Sequence, residues 1–186
     1  AGRATMGAIR LPLLVVDGYN VIYKTSRYLD LMEETGTGFD DDDPFGRARE
    51  RLVADVAAYA QGTYEPVIVF DAAGNVSSER PELTRAGVRL VFSPTGETAD
   101  TVIERIVSNA RRDARDVTVI TSDNTIRATV GGIPVTRLTS SVLIDDVESL
   151  AEDAVAANAE RNHVSLTLEG RLSPESRRRL WELIGK

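Results

Sequence analysis

Five short apolar runs recur along the chain. Leu13-Leu14-Val15-Val16 leads into Asp17, Val67-Ile68-Val69-Phe70 into Asp71, and Val117-Thr118-Val119-Ile120 into Thr121-Ser122-Asp123. Val88–Phe92 and the more polar Pro134–Leu138 complete the set. Unbroken apolar runs of this length are what strands buried on both faces look like. The polar fifth run suits an edge of a sheet.

Between these runs the spacing turns helical. Residues 19–34 carry Val21, Ile22, Tyr23, Leu29 and Leu31 and read as helix or irregular structure. Phe45, Ala48, Leu52, Val56 and Tyr59 predict an amphipathic helix over 44–61, with Asp43 as N-cap, Pro44 as its first residue and Gly62 as its stop. Val102, Ile103, Ile106, Val107 and Ala110 predict a second, starting near Thr98. A short helix should end at Gly131-Gly132, and Ser140 or Ser141 should cap a long one reaching about Asn162. Residues 72–87 are polar and turn-rich and predict a surface loop. Strands alternating with helices specify an α/β fold with a mainly parallel, five-stranded sheet.

The tail differs. Val164, Leu166 and Leu168 alternate with Ser165, Thr167 and Glu169, predicting a short strand, and Ser173-Pro174 starts a last helix. The expected organisation is an N-terminal tail over 1–12 (partly an expression remnant ahead of Met6), a domain over 13–162, and a strand–helix extension over 163–186 packed on the same domain. No signal peptide or membrane-length apolar run is visible, so no membrane partner is expected.

Composition then narrows the chemistry. There is no cysteine, which removes disulfides, thiol nucleophiles and thiolate metal sites and fits a reducing, cytoplasmic setting. His163 is the only histidine, and at a helix end its expected role is structural; triads and His-rich zinc sites lack material. Any metal must therefore use oxygen ligands, which suits Mg²⁺ or Mn²⁺. The net charge of −7 argues against a protein that coats nucleic acid, but not against a nuclease, whose carboxylates hold cations.

The strand ends carry the candidate chemistry. Asp17, Asp71 and Asp123 end three of the five strands, and Asp100 lies in the first turn of the helix after the third. In a parallel sheet these positions share one edge, where α/β folds bind ligands. One such aspartate is ordinarily a cap or a turn former, and Asp100 suits the helix dipole. Four at one edge repel unless a cation intervenes, and a divalent metal resolves the cost. That arrangement suits metal-assisted phosphodiester hydrolysis. Asn20 adds an amide there, and Thr98, Thr121 and Ser122 add hydroxyls.

These residues also resemble a known family. Asp17-Gly18-Tyr19-Asn20, Val69-Phe70-Asp71, Glu97-Thr98-Ala99-Asp100 and Thr121-Ser122-Asp123 are similar to the four motifs of the NYN domains, relatives of the PIN and 5′-flap nucleases. The similarity is to the YacP-like branch, bacterial and plastid proteins described as endoribonucleases, some acting on ribosome-associated mRNA. It covers about residues 13–184. It implies a PIN-like three-layer fold with strand order 3-2-1-4-5 and a Mg²⁺- or Mn²⁺-dependent endoribonuclease. It implies metal ligands at Asp17, Asp71, Asp100 and Asp123, with Asn20 joining them in catalysis or substrate contact. The insert around Thr35–Asp43 departs from the family pattern.

Weaker signals complete the inventory. Asp40–Asp43 reads as a solvated loop sooner than a second metal site. Glu97 and Glu104 are candidates to support the ligands, exposed helix carboxylates being the plainer explanation. Arginines cluster at 47, 49 and 51, at 111, 112 and 115, and at 177–179 beside Trp181. Arg177 and Arg178 are candidate contacts for RNA or the ribosome, against a merely solvated helix face. A competing function is a non-catalytic RNA- or ribosome-binding adaptor on a nuclease-like scaffold. A phosphoacceptor receiver domain lacks its early acidic pair and late lysine, and no Walker motif is present.

Overall fold

The computed structural model describes residues 10–33, 45–71, 82–122 and 135–171, with Glu33 and 162–171 described by backbone alone. Six strands are described: β1 (Leu13–Asp17), β2 (Glu65–Phe70), β3 (Glu82–Arg85), β4 (Val88–Phe92), β5 (Val117–Ile120) and β6 (Thr136–Leu138). The helices are α1 (Gly18–Tyr23), α2 (Ser26–Glu33), α3 (Gly46–Ala60), α4 (Ala99–Arg112) and α5 (Ser140–Arg171). The sheet order is β3-β4-β2-β1-β5-β6, parallel throughout except for β3. The five strands read from the sequence therefore take the expected order 3-2-1-4-5. β3 is an addition to it.

β3 corrects the expected loop over 72–87 in its last part. Glu82-Leu83-Thr84-Arg85 pairs antiparallel with β4, joined by the two-residue turn Ala86-Gly87. Both turn residues have positive φ, 49° and 78°, as a tight hairpin that follows strand twist requires. The sequence gives little sign of this strand, because it carries one apolar residue and pairs only at an edge. Residues 72–81 lie outside the described residues.

The sheet divides the core by simple alternation. Leu14, Val16, Ile68, Phe70, Leu90 and Ile120 face α1–α3 and the start of α5. Leu13, Val15, Val67, Val69, Val91, Val117 and Val119 face α4 through Ala99, Val102, Ile103 and Val107. Both faces of β1 are thus covered, which explains its unbroken apolar run.

The helix boundaries shift from expectation in three places. α3 begins at Gly46 after Phe45, which makes no side-chain cap; Asp43 and Pro44 lie outside the described residues. α5 starts at Ser140, so Thr139 precedes it and neither expected serine stands outside as its cap; the Thr139 hydroxyl instead meets that of Ser141 at 2.8 Å. α5 also continues through Val164, Leu166 and Leu168, replacing the short strand expected there. Once a helix is nucleated, each added residue costs little, and Val164 and Leu168 are as well spaced for a helix face as for a strand. Contacts divide the chain into a unit over Ala1–Val147 and another over Glu148–Lys186. In the first, Leu143, Ile144 and Val147 anchor the start of α5 in the core. In the second, residues 148–161 of the helix are exposed. No helix among the described residues is long and apolar enough to cross a membrane.

Candidate active site

The carboxyl ends of β1, β2, β4 and β5 meet at one edge. Asp17 closes β1 and is 7 % exposed. It also caps α1: its Oδ1 accepts from the Asn20 backbone N–H at 3.2 Å. Thr121, directly after β5, donates its hydroxyl to Asp17 Oδ2 at 3.5 Å. Both of these donors are neutral groups.

Register places the other residues. Asp17 pairs with Val69 across β1 and β2, so Asp71 lies two residues further on. With strands about 4.8 Å apart and a rise of about 3.3 Å per residue, the two Cα atoms stand about 8 Å apart. β2 ends at Phe70, one residue short of the expected end at Asp71, so Asp71 falls just past the strand. Across from it at the end of β4 is buried Ser93, whose N–H donates to the Phe70 carbonyl at 2.9 Å. Continuing the alternation of Leu13 and Val15, Asp17 belongs to the α4 face of the sheet. Asp71 follows Val69, and Thr121 follows Val119, onto that same face. Asp100 lies in the first turn of α4, which starts at this edge, and is half-buried. Asp17, Asp71, Asp100 and Thr121 thus belong to one face of one edge.

Asn20 has a defined task. Its Oδ1 accepts from the Ser122 backbone N–H at 2.8 Å, tying α1 to the end of β5. A backbone N–H can only donate, so the amide orientation is fixed and Nδ2 remains the donor end. Asn20 is therefore suited to donate through Nδ2 to a carboxylate, water or phosphate oxygen. The Ser122 hydroxyl lies 3.3 Å from that of Ser140.

Other expected residues have local tasks. Thr98 caps α4, its hydroxyl accepting from Thr101 N–H at 3.3 Å. Glu97 pairs with Arg105 at 2.6 Å on the surface. Asp123, Arg177 and Arg178 lie outside the described residues, as do Asp40–Asp43. Among the described residues, no three Asp, Glu, His or Cys side chains stand close enough together to hold a metal ion. The donor chemistry at the edge nonetheless fits a hard cation: the candidate ligands are all carboxylates, and Mg²⁺ is ordinarily held by one or two, with waters completing its shell.

Some neighbours were not singled out from sequence. Arg137 reaches from β6, its Nη2 donating to the Thr121 carbonyl at 3.4 Å, and brings a cation to the acidic edge. Gly18 lies against Phe70: a Cβ there would stand 2.4 Å from Phe70 Cε1. Its φ is not positive, so what this glycine provides is space. Asp55 on α3 is a buried hub. Its carboxylate accepts from Arg27 Nε at 2.9 Å, the Tyr28 hydroxyl at 2.9 Å and Arg51 Nε at 3.2 Å, locking α2 to α3. Burial first, and then the Asp55 carboxylate, push the Tyr28 phenol far above its ordinary pKa. A depression of about 400 Å³ lies at the opposite, amino end of the sheet, lined by Gln61, Tyr64, Pro66, Ala86 and neighbours without a charged group. It has none of the chemistry gathered at the carboxyl edge.

Comparison with known proteins identifies the family. Residues 14–184 match the YacP-like NYN domain. The uncharacterized protein YacP of Bacillus subtilis (strain 168) is 29 % identical over 140 residues, covering 75 % of this chain and 77 % of the relative. The crystal structure of Rae1 (YacP) from Bacillus subtilis superposes with a TM-score of 0.61 at 26 % identity, covering 91 % of this chain and 95 % of that one. A mutant of the same protein gives 0.60 at 28 %, over 89 % and 90 %. The chain belongs to the YacP-like NYN domain family and carries its PIN-like, nuclease-type scaffold.

Proposed function

We propose that this protein is a divalent-metal-dependent endoribonuclease that hydrolyses phosphodiester bonds in RNA, with mRNA, including mRNA on the ribosome, as the first substrate class to test. The observation that carries the reading is the buried Asp17 carboxylate at the carboxyl edge, oriented by Asn20 and Thr121 on the same sheet face as Asp71. Family membership supports it, since NYN domains are nuclease-like.

Asp17 and Asp71 would hold Mg²⁺ or Mn²⁺, with Asp100 and Asp123 completing the set. When bound, the cation supplies neutralisation of charge developing on the phosphate. The chain's own groups do the rest. Thr121 and the α1 N–H hold Asp17 in place before substrate arrives, which lowers the reorganisation needed during reaction. Asn20 Nδ2 offers a hydrogen bond to a phosphate oxygen or to the attacking water. Thr98, Thr121 and Ser122 are candidate substrate contacts, and Arg177 and Arg178 candidate RNA or ribosome contacts.

The test is cleavage of single-stranded and structured RNA in Mg²⁺, Mn²⁺ or chelator. Asp17→Asn keeps an oxygen to cap α1, so the fold should survive, while cleavage falls about a hundredfold or more, the upper range for lost support of a metal site. Full activity in chelator, or in both Asp17→Asn and Asp71→Asn, would sink the proposal. RNA binding without turnover in any metal would establish the adaptor function instead.

A further inference from the structure

Aromatic rings gather beside the acidic edge and continue to the surface. Phe92 stacks on Phe70 with ring centroids 5.6 Å apart, Phe70 meets Tyr19 at 5.1 Å, and Tyr19 meets Phe45 edge-on at 5.6 Å. Tyr23, one turn after Tyr19, completes the group at 6.3 Å from Tyr19 and 6.0 Å from Phe45. Core packing explains the inner rings, because Phe70 is wholly buried. It does not explain Tyr23, whose side of the cluster lies open: the residue is 55 % exposed.

The outer rings are held in place. Arg49 Nη1 donates to the Tyr19 hydroxyl at 3.1 Å, and Phe45 packs edge-on to both tyrosines. Positive charge flanks them. Lys24 follows Tyr23 directly, and exposed Arg47 comes two residues after Phe45. Tyr23 stands about 9 Å along the helix axis from Asp17, at a rise of about 1.5 Å per residue. The cluster packs with Phe70 on the α1–α3 face of the sheet, whereas the carboxylates belong to the α4 face.

We propose that Tyr23, backed by Tyr19 and Phe45, is a stacking platform for one base of a single-stranded RNA whose backbone crosses the tips of β1 and β2. The inference rests on the ribonuclease function proposed above. The acidic edge repels phosphates, so a strand needs an anchor outside it. Exposed tyrosine faces beside cationic side chains meet that need. Bases stack on aromatic rings with little regard to sequence, and lysine and arginine attract the backbone. Rings already fixed by their neighbours lose little freedom on binding.

The experiment measures fluorescence anisotropy of a labelled single-stranded RNA, and of the same RNA made abasic, with Asp17→Asn protein to prevent cleavage. Adding Tyr23→Ala should weaken binding of the intact RNA roughly tenfold, in the range found for loss of one stacked base. Tyr23→Phe and Tyr23→Trp should keep it, because the ring and not the hydroxyl is used. Abasic RNA should bind weakly and respond little to Tyr23→Ala. Equal binding of intact RNA with and without Tyr23→Ala overturns the platform while leaving the ribonuclease function standing. An equal loss on abasic RNA overturns it too, since the effect is then not stacking. Loss of self-association in place of RNA binding would make the patch a protein contact and refute the proposal. If the wild-type protein neither binds nor cleaves the RNA in any metal, the platform and the ribonuclease function fall together.

Discussion

Gly18→Ala adds one methyl group at the most crowded point of the site. The new Cβ would stand 2.4 Å from Phe70 Cε1, 2.5 Å from Cδ1 and 3.0 Å from Ile68 Cγ2. Carbon atoms pack best at about 3.5–4.0 Å, so the ring must retreat by roughly 1 Å or α1 must lift. The ring has no room to retreat: it is fully buried, with Phe92 on one side and Tyr19 on the other. Overpacking of this kind costs about 1–3 kcal/mol, and the gain from alanine over glycine in a helix returns at most about 1 kcal/mol. The net expectation is a loss of about 1–2 kcal/mol, read as a lower denaturant midpoint at unchanged slope. For a chain of this size the melting temperature should fall by about 2–8 °C. Phe70→Leu removes the obstructing ring edge. The double variant should therefore be less destabilised than the two single losses added together, by about 1 kcal/mol or more. Cleavage measured well below the melting temperature should fall as well, because lifting α1 drags Asp17 and Asn20 with it. Wild-type stability in Gly18→Ala, or strict additivity with Phe70→Leu, would show that the contact does not constrain the fold.

Three further outcomes follow from other residues. Asp55→Ala leaves Arg27 and the buried Tyr28 hydroxyl without their shared acceptor, and should cost about 3–5 kcal/mol by chemical denaturation, against about 1 kcal/mol for Tyr28→Phe; equal small effects would mean the hub is not a structural tie. Tyr28 should also shape stability at alkaline pH. Its phenol keeps its proton in the folded state above the unfolded value of about 10, so its contribution is complete below about pH 10 and declines above it by up to about 1.4 kcal/mol per pH unit; stability curves of wild type and Tyr28→Phe that stay parallel above pH 10 would contradict this. Asn20→Asp keeps an oxygen for the Ser122 N–H but loses the Nδ2 donor, so cleavage should drop with little change in melting, whereas Asn20→Ala should lower both; equal cleavage in wild type and Asn20→Asp would remove the donor role.

The sequence spoke clearly where burial is two-sided. β1, β2, β4 and β5 are apolar because helices cover both their faces, and such runs are visible without any partner strand. Their order came from family resemblance, since pairing leaves no trace in a single run. β3 was missed because an edge strand needs only backbone partners, and Glu82-Leu83-Thr84-Arg85 carries almost no core. The tail misled because alternation at 164–168 satisfies strand and helix alike, and the helix already under way decides between them. The places of Asp17, Asn20, Asp71 and Thr121 at the carboxyl edge were legible, because each follows an apolar run. Asp55 and Arg137 were not, because their partners lie 27 and 16 residues away in sequence. The role of Gly18 was not legible either, because crowding by a ring fifty-odd residues later has no local signature.

The hairpin of β3 and β4 also bears on how the protein behaves in crowded solution. A mainly parallel sheet presents two open margins, each a row of hydrogen-bonding groups able to recruit another chain. One margin ends in β6, three residues long with Arg137 at its centre. On the other, β3 covers β4 with four residues, of which Glu82, Thr84 and Arg85 are exposed. Among the described residues both outermost strands are short and carry charge, which makes them poor templates for a neighbour, and the buried valine-rich strands lie between them.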